Sequence, residues 1–251
     1  MFEHIPWIVK IIQQYLGLPF CNLLATIGIK TTPEALLPTH LVLSLLIVLF
    51  LIIFFSIIKN RLKIYPSMLQ YILEAYVNFI NSLVTDLIGE KGKKFLPCIG
   101  TLGVFILISN LLGLIPGLAS PTSNINVTGG CALFIFIYYH WQGLKEHGLI
   151  KYLRHFMGPI ELKGMNILLV FLIFPVELIG HFSRPLSLSI RLFGNIFGED
   201  LVILILFSLV PILVPLPIMC LAIFTSVIQT LVFIMLSTIY IAGAVESMEH
   251  H

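Results

Sequence analysis

The sequence predicts an all-α integral membrane protein, and three observations predict it. The 251 residues are 58% hydrophobic and only 10% charged, with a mean hydropathy of +1.04. A water-soluble domain carries about a quarter charged residues to cover its surface. Residues 41–58 read LVLSLLIVLFLIIFFSII, close to the roughly 20 apolar residues that a bilayer crossing requires. No stretch has the roughly ten-residue alternation of a membrane barrel strand. Helices are then the structure that satisfies its own backbone in hydrocarbon. The expected architecture is one membrane domain with about five membrane helices and one interfacial amphipathic helix, the last two membrane helices forming a long tilted hairpin.

The elements follow in order. Residues 1–40 are mixed, punctuated by Pro19, Pro33 and Pro38, and read as a segment at the membrane surface. The first span, 41–58, stops at Lys59, Arg61 and Lys63. Residues 66–94 behave differently. Pro66 and Ser67 open them, and Ser67 with Gln70 fits a capping box. Gln70, Glu74, Asn78, Asn81 and Thr85 recur at the spacing of one helix face, while Leu69, Ile72, Leu73, Tyr76, Ile80, Leu83 and Leu87 take the other. That pattern describes an amphipathic helix on the interface. Spans at 97–116 and 131–143 flank GLASPTSNINVTGG, a run of turn residues. Lys145, Lys151, Arg154 and Lys163 come next, then an apolar run at 166–209, a hinge PILVPLP, a last helix at 218–245 and a polar tail, ESMEHH.

The run at 166–209 would measure about 66 Å as one helix, roughly twice the hydrocarbon thickness. Charge bias favours one steeply tilted helix over two spans. Ten of the fourteen basic residues (Lys59, Arg61, Lys63, Lys91, Lys93, Lys94, Lys145, Lys151, Arg154, Lys163) then fall on one side of the membrane, with the C-terminus. By the positive-inside rule that side is cytoplasmic or its organellar equivalent. Lys10 and Lys30 fall on the other side, and Arg184 and Arg191 sit inside hydrophobic sequence.

Several classes drop out. A net charge of +2 gives no reason to expect nucleic acid as a partner. Cys21, Cys98, Cys131 and Cys220 form no CxxC pair and no metal spacing, so they read as packing residues. The start, MFEHIPWIVK, has neither a signal-peptide nor a transit-peptide pattern. No metal, cofactor or catalytic residue is expected.

The chemistry concentrates in LSLSIRLFGNIFGED. A charge at bilayer depth costs roughly 2.5–3.5 kcal/mol on insertion scales. On a helix, Glu177, His181, Arg184, Leu188, Arg191, Asn195 and Gly198/Glu199 step by three or four residues, and Gly194 with Gly198 would let another helix approach closely. The last helix has a weaker stripe of Ser226, Gln229, Phe233, Ser237 and Tyr240. Arg191 does not lose its proton at physiological pH, so it suits a fixed charge rather than a proton-exchanging catalyst. A carboxylic acid brought beside it gives up its proton, and the same carboxylate moved into lipid must regain one. Along the helix Glu199 lies about 12 Å from Arg191 in one direction and Glu177 about 21 Å in the other. That spacing suits two water-filled approaches from opposite surfaces. Plainer roles stand beside these: Arg184 snorkels or pairs with Glu177, His181 packs as a hydrogen-bonded residue, Glu199 and Asp200 mark a helix end, and Gln229 bonds across the hairpin.

PVELIGHFSRPLSLSIRLFGNIFGEDLVI, with SLVPILVPLPI, IQTLVFIMLSTIYI, FLPCIGTLGVFILISNLLGLIPG and SPTSNINVT, resembles the a subunit of F-type ATP synthases over residues 65–251. The ESMEHH tail is similar to the plastid and cyanobacterial branch. The resemblance implies a non-catalytic, ion-translocating subunit beside the c-subunit ring, with peripheral-stalk b subunits and the lipid bilayer as further partners, and protons in preference to sodium as the ion. It implies a multi-pass protein of a bacterial inner membrane or thylakoid, with the C-terminus cytoplasmic or stromal. Arg191 corresponds to the arginine that faces the rotor carboxylate. Asn195, Gln229 and Glu177 match half-channel positions, and His181, Arg184, Ser226 and Tyr240 stand as possible supports. The family's acid nine residues after the arginine is Asp200 here, with Glu199 just before it. Ala222 stands where some members have a histidine. A secondary transporter using Arg191 for an anionic substrate would show an inverted repeat or paired interrupted helices, and neither is present. A membrane hydrolase would show HExxH or GxSxG, also absent. A purely structural rotor support leaves Arg191 unexplained.

Overall fold

The computed structural model describes residues 7–17, 19, 21, 32–115, 118–149, 166–209 and 215–245. Lys30, Lys151, Arg154, Lys163, most of the hinge and the tail from 246 onward lie outside them. Among the described residues there are eight α-helices and no strand. They are α1 (Trp7–Ile12), α2 (Pro33–Leu36), α3 (Thr39–Lys59), α4 (Met68–Ile88), α5 (Leu96–Leu112), α6 (Ile125–His147), α7 (Asn166–Leu209) and α8 (Pro215–Val245), with short 3-10 turns at Glu90–Phe95 and Pro121–Ser123.

Four stretches are long and apolar enough to cross a membrane: Thr39–Lys59, Glu90–Leu112, Phe174–Leu209 and Pro215–Val245. Helix α6 has the length, at 23 residues, but Asn126, Thr128, three glycines, His140, Gln142 and its charged end dilute its apolar content. It also begins at Ile125, earlier than the turn-like NVTGG suggests. Asn124, in an extended conformation, accepts the Asn126 amide on its Oδ1 at 3.0 Å and so starts the helix. Glycines at 89 and 148 take positive φ (83° and 76°) directly after α4 and α6, the left-handed stop that glycine adopts most readily.

Helix α7 runs unbroken for 44 residues through Pro175 and Pro185. Proline removes one helical donor, so Pro185 leaves the His181 carbonyl without its usual partner one turn back. Helix α8 opens on Pro215 and Pro217, first-turn positions where a missing N–H costs nothing.

The chain divides into two compact units. The first holds the N-terminal segment, α3, the end of α5, the 3-10 turn at Pro121–Ser123, and the parts of α7 and α8 at 193–209 and 215–230. Val9, Val42 and Leu43 form a core there, with Ile12, Leu37, Leu46 and Leu112 packed on it, and Gln13 donates to the Leu37 carbonyl at 2.8 Å. The Gln70 amide clamps Lys63, accepting that backbone N–H at 3.1 Å and donating to that carbonyl at 2.9 Å.

The second unit holds α4 from Tyr71, the start of α5, most of α6, and the parts of α7 and α8 at 166–192 and 231–245. Helix α4 buries Ile80 and Val84 there and exposes Glu74, Asn78 and Asp86. Tyr76 donates to the Gly100 carbonyl at 2.8 Å, and Gly103 makes room for that phenol. A Cβ on Gly103 would meet Ile234 Cδ1 and lie 2.6 Å from Tyr76 Oη. Overpacking of this kind costs about 1–3 kcal/mol. Gly103→Ala is therefore expected to lower the thermal transition of the detergent-solubilised protein, and adding Tyr76→Phe should return part of the loss. A transition unmoved by Gly103→Ala would show that the helices part freely there.

Candidate functional site

In the first unit the candidate residues lie on two elements, α7 and α8. Asn195 of α7 donates from Nδ2 to Gln229 Oε1 of α8 at 2.7 Å, with Gln229 buried. Ser226 is buried one turn before Gln229, and the Thr230 hydroxyl bonds back to the Ser226 carbonyl at 2.8 Å. Gln229 does bond across to α7, as its plainer role predicts.

Glu199 and Asp200 have different surroundings. Asp200 has the Ser123 hydroxyl as its side-chain partner, and its Oδ1 lies 3.0 Å from where a Cβ on Gly113 would stand. Close by in the chain, a polar ladder runs through the interior. Ser120 donates to the Ser109 carbonyl at 2.8 Å and shares a 2.7 Å hydroxyl contact with Thr122, which donates to Asn110 Oδ1 at 2.6 Å. All four residues are buried. Ser109 Oγ, Asn110 Nδ2 and Glu199 Oε2 are buried polar atoms without a hydrogen-bond partner among the described residues. This ladder lies outside the residues that sequence alone singles out. Its trace in the sequence is the Ser109–Asn110 pair inside an apolar span, completed by a loop of turn-type residues.

In the second unit, Glu177 and His181 lie one helical turn apart, with His181 Nε2 3.3 Å from Glu177 Oε1. Arg184 forms no ion pair with Glu177 among the described residues. Its guanidinium lies over the Tyr240 ring of α8, 5.5 Å from the centroid, a cation–π contact worth about 0.5–2 kcal/mol. His181 is buried, as expected of a packing residue, and its Nδ1 faces the Tyr139 hydroxyl of α6 at 3.3 Å. Tyr139 and His140 were not on the candidate list. The helix around them reads as IFIYYHW, where nothing but residue type sets them apart.

Arg191 is exposed, and among the described residues it has neither an ion pair nor a hydrogen bond. Its neighbours Ile190 and Leu186 are exposed as well. Around Gly180 of this unit and around Gly194 and Gly198 of the other, no atom stands within 4 Å of a notional Cβ, so each presents open backbone.

These features define a multi-pass helical membrane protein whose longest helix carries buried polar groups and an arginine that no described residue neutralises. A sequence profile described as ATP synthase A chain matches residues 41–242. The chain belongs to that family. It is 44% identical over 229 residues to ATP synthase subunit a of Geotalea daltonii, covering 90% of this chain and 94% of the relative. It is 47% identical over 201 residues to ATP synthase subunit a of Geobacter sulfurreducens, covering 80% and 85%. ATP synthase subunit a of Sulfurihydrogenibium is 40% identical over 211 residues, covering 84% and 99%.

Interhelical hydrogen bonds in membrane proteins contribute about 0.6 kcal/mol on average and up to about 1.7. Asn195→Leu is expected to destabilise the solubilised protein by about 1 kcal/mol, because it leaves the buried Gln229 amide unpaired, and Gln229→Leu by less, because the Asn195 amide it frees is exposed. The double substitution should cost less than the two singles together. Strict additivity in thermal denaturation would mean that the two amides do not interact.

Proposed function

We propose that this chain is the proton-conducting stator subunit of a rotary F-type ATP synthase, with Arg191 facing the carboxylate of a c-subunit ring. The observation that carries the reading is the exposed guanidinium in an apolar stretch of α7, without a partner among the described residues. Such a charge is costly in hydrocarbon and arginine does not shed it, so its partner belongs to another chain. The family supplies the partner's kind: relatives are named as subunit a of ATP synthase.

On this reading a proton enters by an outer half-channel at Glu199 and Asp200, protonates a rotor carboxylate and lets that site turn through lipid. A site completing the turn releases its proton past Glu177. Arg191 keeps the arriving carboxylate ionised and blocks direct passage between the half-channels. Asn195 and Gln229 hold the flank of that path through their mutual bond. The polar ladder supports a wet outer path, since buried polar atoms of this kind are ordinarily satisfied by water. Each charge crossing yields about 2.3 kcal/mol per 100 mV, so several crossings must be pooled per ATP. Helices α7 and α8 are the hairpin tilted against the rotor, with peripheral-stalk b subunits holding the stator and the C-terminus on the cytoplasmic side.

The test is passive proton flux through vesicles carrying the assembled membrane sector. Arg191→Ala should abolish rotation-coupled flux and open a leak. Arg191→Lys should also lose ATP-driven pumping, because ammonium is a deprotonatable point donor. Unchanged coupled flux in Arg191→Ala would sink the proposal. Gly113→Ala, which crowds Asp200 and Ser120, should lower coupled flux, whereas Gly130→Ala, with open space around it, should not. Equal behaviour of these two would remove Asp200 from the path.

A further inference from the structure

Within the second unit, Glu177 stands at one end of a three-residue chain. The His181 imidazole is 7% exposed and is approached at both nitrogens. Tyr139 Oη is 3.3 Å from Nδ1, and Glu177 Oε1 is 3.3 Å from Nε2. An ionised carboxylate only accepts hydrogen bonds, so the ring nitrogen facing it must carry the proton. In a neutral ring the opposite nitrogen then accepts, and the Tyr139 hydroxyl is the donor that meets it. The surroundings thus favour the tautomer with hydrogen on Nε2, the nitrogen 3.3 Å from Glu177 Oε1.

Further rings and a guanidinium pack around this group. His140 of α6 packs 5.3 Å from the His181 ring and 4.3 Å from the Tyr139 ring, centroid to centroid. From α8, Tyr240 packs on Tyr139 at 6.2 Å and takes the Arg184 guanidinium on its face. Arg184 is thereby drawn to Tyr240, and His181 is the neighbour the carboxyl keeps. The His181–Glu177 separation is one of ionic contact without the alignment of a formed hydrogen bond, a condition in which functional groups often stand before their working partner arrives.

We propose that His181, fixed in its tautomer by Tyr139, is the positioning residue that aims the Glu177 carboxyl for proton release. The inference rests on the reading of Glu177 as a residue of the inner half-channel. Glu177 is only part-buried and its side chain has several rotatable bonds, so without an anchor its carboxyl samples many orientations. A group that relays protons must instead be held in reach of its donor and acceptor.

The experiment is ATP-driven proton pumping in vesicles carrying the whole ATP synthase, normalised to membrane-bound ATPase so that assembly losses cancel. Glu177→Gln is expected to lower pumping. His181→Leu should lower it to the same level, while His181→Gln, whose amide offers N–H donors at similar reach, should recover most of it. Glu177→Gln with His181→Leu should pump no less than Glu177→Gln alone, because the histidine acts through the acid. Should His181→Leu fail to assemble, Tyr139→Phe carries the same test: it removes one oxygen and should give a partial loss that vanishes in the Glu177→Gln background. Normal pumping with His181→Leu beside an impaired Glu177→Gln overturns the inference alone, as does a further loss in the double variant. Normal pumping with Glu177→Gln overturns the underlying reading of Glu177.

Discussion

A guanidinium that no described residue of its own chain neutralises, set in an apolar helix, is the constraint on which the rest of this structure depends. Arginine stays charged, its fork of donors demands acceptors, and hydrocarbon supplies none. An isolated copy of this chain would carry that cost in full. In an assembly the same cost turns into specificity, because a carboxylate arriving beside Arg191 gains from a charge that lipid penalises. In the proposed reading, the exposure of Arg191 is what ties the chain to a partner carboxylate.

The two compact units handle their polar groups differently, and chemistry explains the difference. In the first, neutral amides and hydroxyls predominate: Asn195 with Gln229, and the ladder of Ser109, Asn110, Ser120 and Thr122. Such groups hydrogen-bond to water and to one another without carrying charge into the membrane, which suits a wall. In the second, aromatic rings and an imidazole surround the acid and the second arginine. Arg184 sits on a π face and Glu177 beside a histidine, so each charge is met by a soft or titratable neighbour. Direct pairing of Arg184 with Glu177 would have locked both, since breaking a buried ion pair leaves an uncompensated charge.

The fold was legible where hydropathy alone decides it. The spans at α3, α5 and α8 follow from apolar runs, and the unbroken α7 follows from its length together with the charge bias. Helix α6 was less legible. Its first turn is written in glycine, asparagine and threonine, residues that read as a loop until Asn124 is seen capping them. The candidate residues of α7 were legible as a stripe at helical spacing, because a period of three to four residues depends on a single element. Partners were not legible, since which ring Arg184 lies over or which hydroxyl meets His181 depends on how separate helices pack. Periodicity says which way a side chain points; it does not say what stands opposite.

The small residues of α7 complete the physical picture. Gly180 and Ser187 in one unit's part of the helix, and Gly194 and Gly198 in the other's, are open to the outside. Small residues exposed on a membrane helix usually mark a place where another helix comes close. Against a fixed neighbour, large side chains would serve better, since ridges packed into grooves define one stable register. A partner that must slide past calls for the opposite. Each interlocked knob would add a barrier to every step, and dispersion contacts would have to be broken and remade as each new helix arrived. A face of glycine and serine with one long arginine presents little to interlock with and a single electrostatic feature to recognise. In the proposed rotary reading that combination is what a stator surface requires: weak steric preference among positions, and one strong preference for a carboxylate.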